Sequence, residues 1–132
     1  MNFMNKEILN PAAKVDGDMV EGLQAFYSII SHDWRDSRGE CSEVSAQLAR
    51  QFGLLYVEGK FRLDTPLMSG TSKLEEDHAW CVDGNQRIVD LTAEQFNEGL
   101  SGNPIPKGVM IISNSDELFG RYRPERLIIK RG

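Results

Sequence analysis

The chain has 132 residues, 40% hydrophobic and 27% charged, which suits a single soluble globular domain over 1–132 and is too short for two ordinary domains. Fifteen Lys and Arg against twenty Asp and Glu leave a net charge of -5, which argues against a nucleic-acid-binding surface because phosphate neutralisation needs clustered cations. Nothing in the composition calls for a lipid environment, and Met1 to Pro11 carries no secretory pattern, so a cytoplasmic location with reduced cysteines is the expectation.

Met19, Val20, Leu23, Phe26, Tyr27 and Ile30 recur at spacings of three and four, which predicts an amphipathic helix over Asp18 to Ile30, with Asp16 or Asp18 capping its start. His32 to Glu40 is polar and turn-rich and reads as a loop, with His32 close enough to the helix end to interact with its dipole. A second helix over Ser42 to Phe52 sets Val44, Leu48 and Phe52 on one stripe with Ala46 and Ala49 nearby, and stops at Gly53. It is expected to be the buried central helix.

Leu54 to Gly59 has strand character, and Lys60 to Leu63 continues it past an expected bend at Gly59. Asp64 to Asp77, with Pro66, Gly70 and the Glu75-Glu76-Asp77 cluster, reads as a long polar connection that either covers a cleft or lies on the surface. His78 to Val82 and Arg87 to Leu91 flank Asp83-Gly84-Asn85 as two strands of a hairpin, and a short helix capped by Thr92 follows to Gly99. Beyond the linker Ser101 to Lys107, Val109 to Ile112 predicts a buried strand and Ser113 to Asp116 a turn. Arg121 to Lys130 predicts a last strand that Pro124 confines to an edge or bend, and Arg121, Arg123, Arg126, Lys130 and Arg131 read as its solvated face. The elements together predict an α+β fold, helices packed on a mostly antiparallel sheet.

Cys41, His78 and Asp90 carry the chemistry. A cysteine opening a helix lies beside unpaired N–H groups and the positive end of the dipole, which favours the thiolate and offers donors to an oxyanion. Gly39, two residues earlier, lets the backbone turn tightly there. His78 opens a strand, and Asp90 lies on the neighbouring strand of the same hairpin, within cross-strand reach of the imidazole. A thiol, a base and a carboxylate that orients the base make an activated nucleophile. Asp83, the competing carboxylate, sits at the hairpin tip and reads as a turn residue. Trp34, Arg35, Gly39, Glu40 and Trp80 are the candidates for substrate or oxyanion contact, with Arg35 suited to anionic groups; Cys81 reads as a structural strand residue.

Gly39-Glu40-Cys41-Ser42 opening a helix, then His78-Ala79-Trp80, then Ile88-Val89-Asp90-Leu91-Thr92 with Gln95-Phe96, resembles the papain-like, transglutaminase-like superfamily over roughly Ser37 to Phe96. The resemblance implies Cys41 as nucleophile, His78 as base and Asp90 as its orienter, acting on an amide-containing protein, peptide or small molecule as a peptidase, amidase, deamidase or transglutaminase-type enzyme, with no cofactor. The sequence departs from the peptidase pattern before Cys41, where Trp34, Arg35, Asp36, Ser37 and Arg38 include no glutamine to complete an oxyanion hole.

Three other readings stay open at this level. The fold could serve as a binding module in which Cys41 and His78 only pack and the loop Asp64 to Asp77 meets a partner. His78, Cys81, Cys41 and His32 have the side chains of a zinc site, against which stands the strand geometry that sends residues i and i+3 to opposite faces. A Cys41 to Cys81 bridge is also compatible with the sequence.

Overall fold

The computed structural model describes residues 12–30, 41–67 and 73–128. The fold is α+β: helix α1 (Gly17–Ile29) and helix α2 (Cys41–Phe52) precede an antiparallel sheet of β1 (Leu55–Arg62), β2 (Glu75–Val82), β3 (Ile88–Asp90), β4 (Met110–Ile112) and β5 (Tyr122–Ile128). The spatial order is β4-β3-β2-β1-β5. The longest strands, β1 and β2, thus lie centrally and form the platform for the site.

Local contacts account for the start of α1 and the end of α2. Asp16 caps α1, its Oδ1 accepting the Met19 N–H at 2.9 Å. In α2, Cys41, Val44, Ser45, Leu48 and Ala49 are buried, a stripe spaced by three and four that lies on the sheet, while Phe52 falls at its margin. Gly53 ends the helix with φ at 70°, and the Leu54 N–H reaches back to the Ala49 carbonyl at 3.1 Å, satisfying a carbonyl the helix would leave bare. Gly22 of α1 lies under the Phe52 ring, where a Cβ would come within 2.9 Å of Cε1, so the missing side chain sets how closely the helices approach.

The strand alternation divides the core in two. On the helix side Leu23, Val44, Leu48, Tyr56, Ala79, Cys81 and Val89 pack together. On the other side Val57, Phe61, Trp80, Val82, Ile88, Phe96, Ile112 and Tyr122 form a second, aromatic cluster. Both faces of the sheet are therefore dry, and a polar side chain on either must find its partners within the protein.

Several elements differ from expectation. Strand β2 begins at Glu75, because Arg62, Phe61 and Lys60 of β1 pair with Glu75, Glu76 and Asp77; the acidic cluster is strand and not loop. Residues 68–72 of the predicted connection, the loop His32 to Glu40, and Lys130 and Arg131 lie outside the described residues. Gly59 leaves β1 unbroken from Leu55 to Arg62. It lies where β5 comes close, since a Cβ would fall 2.1 Å from the Arg123 carbonyl oxygen. At the same point the β1–β5 register shifts, with Glu58 opposite Arg126 but Gly59 opposite Pro124, which makes Glu125 the extra residue of a bulge. Pro124 sits in this edge strand, as its missing N–H requires.

The segment after Asp90 is a 3-10 helix, Ala93–Gly99; Thr92 makes no side-chain cap to it, and its hydroxyl donates to Asp90. Strand β4 is only partly buried, as the outer strand beyond β3. The turn expected over Ser113 to Asp116 is present, closed by the Asp116 N–H on the Ser113 carbonyl at 3.0 Å, and a further 3-10 helix, Glu117–Arg121, capped by Asp116, follows it before β5.

Candidate active site

Cys41 is the first residue of α2, so the early N–H groups of the helix around it have no intrahelical acceptor. Its neighbours in space are set by β1 and β2. A cleft of about 400 Å³ is lined, among the described residues, by Cys41 and Ser42 of α2, Glu58 and Gly59 of β1, Asp77, His78 and Ala79 of β2, and Glu125 and Arg126 of the β5 bulge. Gly59 pairs with His78 across the two central strands, so the strand next to the imidazole adds no side chain there.

His78 projects into the aromatic half of the core. Its ring packs edge-on against Phe96 and Phe61, stacks on Trp80 and abuts Tyr122, leaving the residue 3% exposed. Nε2 lies 2.7 Å from Asp90 Oδ2, both side chains being buried. The β2–β3 register pairs Val82 with Ile88 and Cys81 with Val89, which continues to Trp80 opposite Asp90 and makes His78 the diagonal neighbour on the same face.

Asp90 is held by four donors. Oδ2 accepts from His78 and from the Tyr122 hydroxyl at 2.7 Å; Oδ1 accepts the Thr92 N–H at 2.9 Å and the Thr92 hydroxyl at 3.1 Å. A carboxylate this deeply buried would otherwise take up a proton. Burial does push its pKa up, but the His78 charge and hydrogen bond, with the bonds from Thr92 and Tyr122, more than offset it and hold the carboxyl below its usual range. On His78 burial favours the neutral ring, yet the Asp90 charge and hydrogen bond, followed by the Cys41 thiol, raise it to about 9. The imidazole therefore carries its proton at neutral pH.

The other ring nitrogen, Nδ1, is buried and has no hydrogen-bond partner among the described residues. With Nε2 engaged by Asp90, Nδ1 is what remains for the thiol that lines the same cleft. Cys41 and His78 line one cleft, and the thiol acts on the ring to favour its charged form.

Glu58 and Arg126 form the opposite wall. Arg126 donates to Glu58 Oε1 at 2.6 Å, and the Tyr56 hydroxyl donates to Glu58 Oε2 at 2.8 Å. Burial and the Glu58 carboxylate push the Tyr56 phenol up, so it keeps its proton and its bond. Arg126 belongs to the run read as a solvated edge, and its side chain is exposed on edge strand β5, where it pairs with Glu58 and lines the cleft.

The predicted site residues thus fall into three groups. Cys41, His78 and Asp90 are brought together. Trp80, a candidate for substrate contact, is 1% exposed and packs between His78 and Tyr122, behind the imidazole and away from the cleft lining. Trp34, Arg35, Gly39 and Glu40, along with His32, lie outside the described residues. Asp83 is a buried staple: Oδ2 accepts the Val15 N–H at 3.1 Å and pairs with Arg87 at 2.7 Å, while Oδ1 accepts the Asn85 and Arg87 N–H groups.

Both cysteines are free thiols. Cys81 points to the helix side, its Sγ 3.1 Å from the Ser45 carbonyl, and burial pushes its pKa far up. His78 and Cys81 diverge as strand geometry requires, and among the described residues no group of three His, Cys, Asp or Glu side chains is placed to hold a metal ion. Nor is any described helix long and apolar enough to cross a membrane.

Thr92 and Tyr122 escaped the sequence reading. Thr92 had a signal, since an Asp followed two residues later by Thr is the pattern of a side chain bonding its own backbone. Tyr122 had none: it reaches Asp90 only because β5 folds back onto β1. Fold and site together define an α+β domain with a buried, proton-bearing Asp–His pair beside a cysteine at a helix start. No family model, curated protein or solved structure matches the chain.

Proposed function

We propose that the protein is a cysteine-dependent acyl-transfer enzyme of papain-like, transglutaminase-like type, acting on an amide through Cys41, His78 and Asp90. The observation that carries this reading is the pairing of His78: Nε2 bound to the buried Asp90 at 2.7 Å, with the free Nδ1 left for the Cys41 thiol in a shared cleft. A histidine serving only to pack has no need of a fourfold-bonded carboxylate behind it and an unpaired nitrogen in front.

In the reaction, the Cys41 sulfur, its proton already held by the His78 imidazolium, bonds to the amide carbon and sends the carbonyl electron pair onto oxygen. The oxyanion would be received by N–H groups in the first turn of α2, which begins at Cys41. The carbonyl re-forms as the C–N bond breaks, and His78 delivers its proton to the departing nitrogen, leaving a thioester on Cys41. Water or an amine then adds to the thioester, His78 takes the incoming proton, and the C–S bond breaks to restore the enzyme. Water makes the outcome hydrolysis; an amine makes it transfer.

The test is capture of the acyl-enzyme. Incubation with p-nitrophenyl acetate, quenching in acid and peptide mass spectrometry should find acetyl on Cys41 in the wild type and little in His78→Asn. Acetyl on neither cysteine, or equally in both proteins, would leave the binding-module reading in its place.

A further inference from the structure

We infer that Tyr122, on the edge strand, is a positioning residue for the active centre: by donating to Asp90 Oδ2 it fixes which oxygen, and how strong an acceptor, the carboxylate turns toward His78. As a statement about catalysis it rests on the acyl-transfer reading above.

The geometry is specific. His78 Nε2 and the Tyr122 hydroxyl converge on the same oxygen at 2.7 Å each, while both Thr92 donors go to the other oxygen. A carboxylate oxygen with two donors shares its charge between them, so each bond is weaker than it would be alone. The hydroxyl thereby moderates the pull of Asp90 on the imidazolium. Without that restraint a buried pair in a dry, aromatic setting would hold the His78 proton harder than a general acid can use.

Tyr122 suits the task. Burial and the Asp90 charge keep its phenol protonated, so it remains a donor across the working pH range. Its ring is fixed edge-on between Phe61 and Trp80, and the residue is 5% exposed. The titratable groups bearing on this oxygen are His78 and, more remotely, Cys81 from β2, and Tyr122 from β5; Asp116 bears on Tyr122, and Cys41 of α2 on His78.

The test follows the His78 imidazole by NMR titration in wild type, in two proteins altered at position 122, and in Asp90→Asn with and without Tyr122→Phe. Tyr122→Phe removes the donor and keeps the ring; it should move the His78 titration upward by about half a unit or more. Incorporation of 3-fluorotyrosine at position 122 strengthens the donor at nearly constant size and should move it downward, which also keeps the test alive where Tyr122→Phe fails to fold. In the Asp90→Asn background Tyr122→Phe should have no such effect, because the influence passes through the carboxylate. A purely structural tyrosine predicts no shift, or shifts of the same sign in both variants, and either result overturns the inference. Since NMR needs no turnover, failure of Cys41 acylation with the two opposite shifts intact would overturn the catalytic meaning alone and leave the link to Asp90 measured.

Discussion

Asp90→Asn exposes the logic of the buried pair. Four donors surround two carboxylate oxygens, but an asparagine brings one oxygen and an NH2 group. The Thr92 N–H cannot become an acceptor, so the amide oxygen must stay on the Thr92 side. The NH2 then faces Tyr122, whose hydroxyl can rotate, and His78 Nε2, which must give up its proton. The imidazole is forced into the neutral tautomer with hydrogen on Nδ1, toward Cys41, where it can no longer take the thiol proton. Under the proposed acyl-transfer reading, loss of the correct tautomer costs roughly a thousand- to ten-thousand-fold in rate.

The same substitution has a stability signature whose sign follows from the pair. The His78 pKa is raised to about 9 in the folded protein, against about 6.5 for an unperturbed imidazole. A raised pKa contributes stability that is fully present below about pH 6.5 and is lost as the pH climbs through about 9. At 1.36 kcal/mol per unit the contribution is roughly 3 kcal/mol near pH 6 and almost nothing above about pH 9.5. Urea denaturation of wild type and Asp90→Asn at those two pH values should show a stability gap that shrinks by about this amount at the higher pH. A gap independent of pH would refute the charged pair and with it the proton assigned to His78.

Gly59→Ala should destabilise by about 2 kcal/mol or more, since its Cβ would meet the backbone carbonyl of Arg123 at 2.1 Å and the strand cannot yield as a side chain would; thermal unfolding checks this. Because Gly59 lies at the bulge that brings Arg126 to the cleft, Cys41 reactivity should change as well. Asp83→Ala should cost about 3 to 5 kcal/mol by leaving Arg87 and three backbone N–H groups without their shared acceptor, yet Cys41 reactivity in the fraction that remains folded should match wild type. Loss of reactivity in that folded fraction would bring Asp83 back as a member of the site.

The sequence made the local parts of the structure legible and the non-local parts not. Both helices and the hairpin around Asp83-Gly84 were readable because capping and alternation are written in neighbouring residues, and so the His78–Asp90 contact could be anticipated from one hairpin. The start of β2 at Glu75 was hidden because three acidic residues in a row resemble a loop, and only pairing with Lys60 and Arg62 makes them a strand. Arg126 and Tyr122 reach the site through the β1–β5 pairing and its bulge, which nothing near them in the chain announces. Gly59 was read as a bend in the strand, whereas what its missing side chain permits is the close approach of β5, which lies far off in the chain.

The central claim is that His78 activates Cys41, and alkylation by iodoacetamide tests it most directly. Peptide mass spectrometry gives the labelling rate of Cys41 from about pH 5 to 9, with Cys81, buried and bound to the Ser45 carbonyl, as an internal reference. Cys41 should label far faster than Cys81 near neutral pH, and His78→Asn should remove most of that advantage while leaving Cys81 unchanged. Equal and slow labelling of both cysteines in a folded wild-type protein would contradict the account.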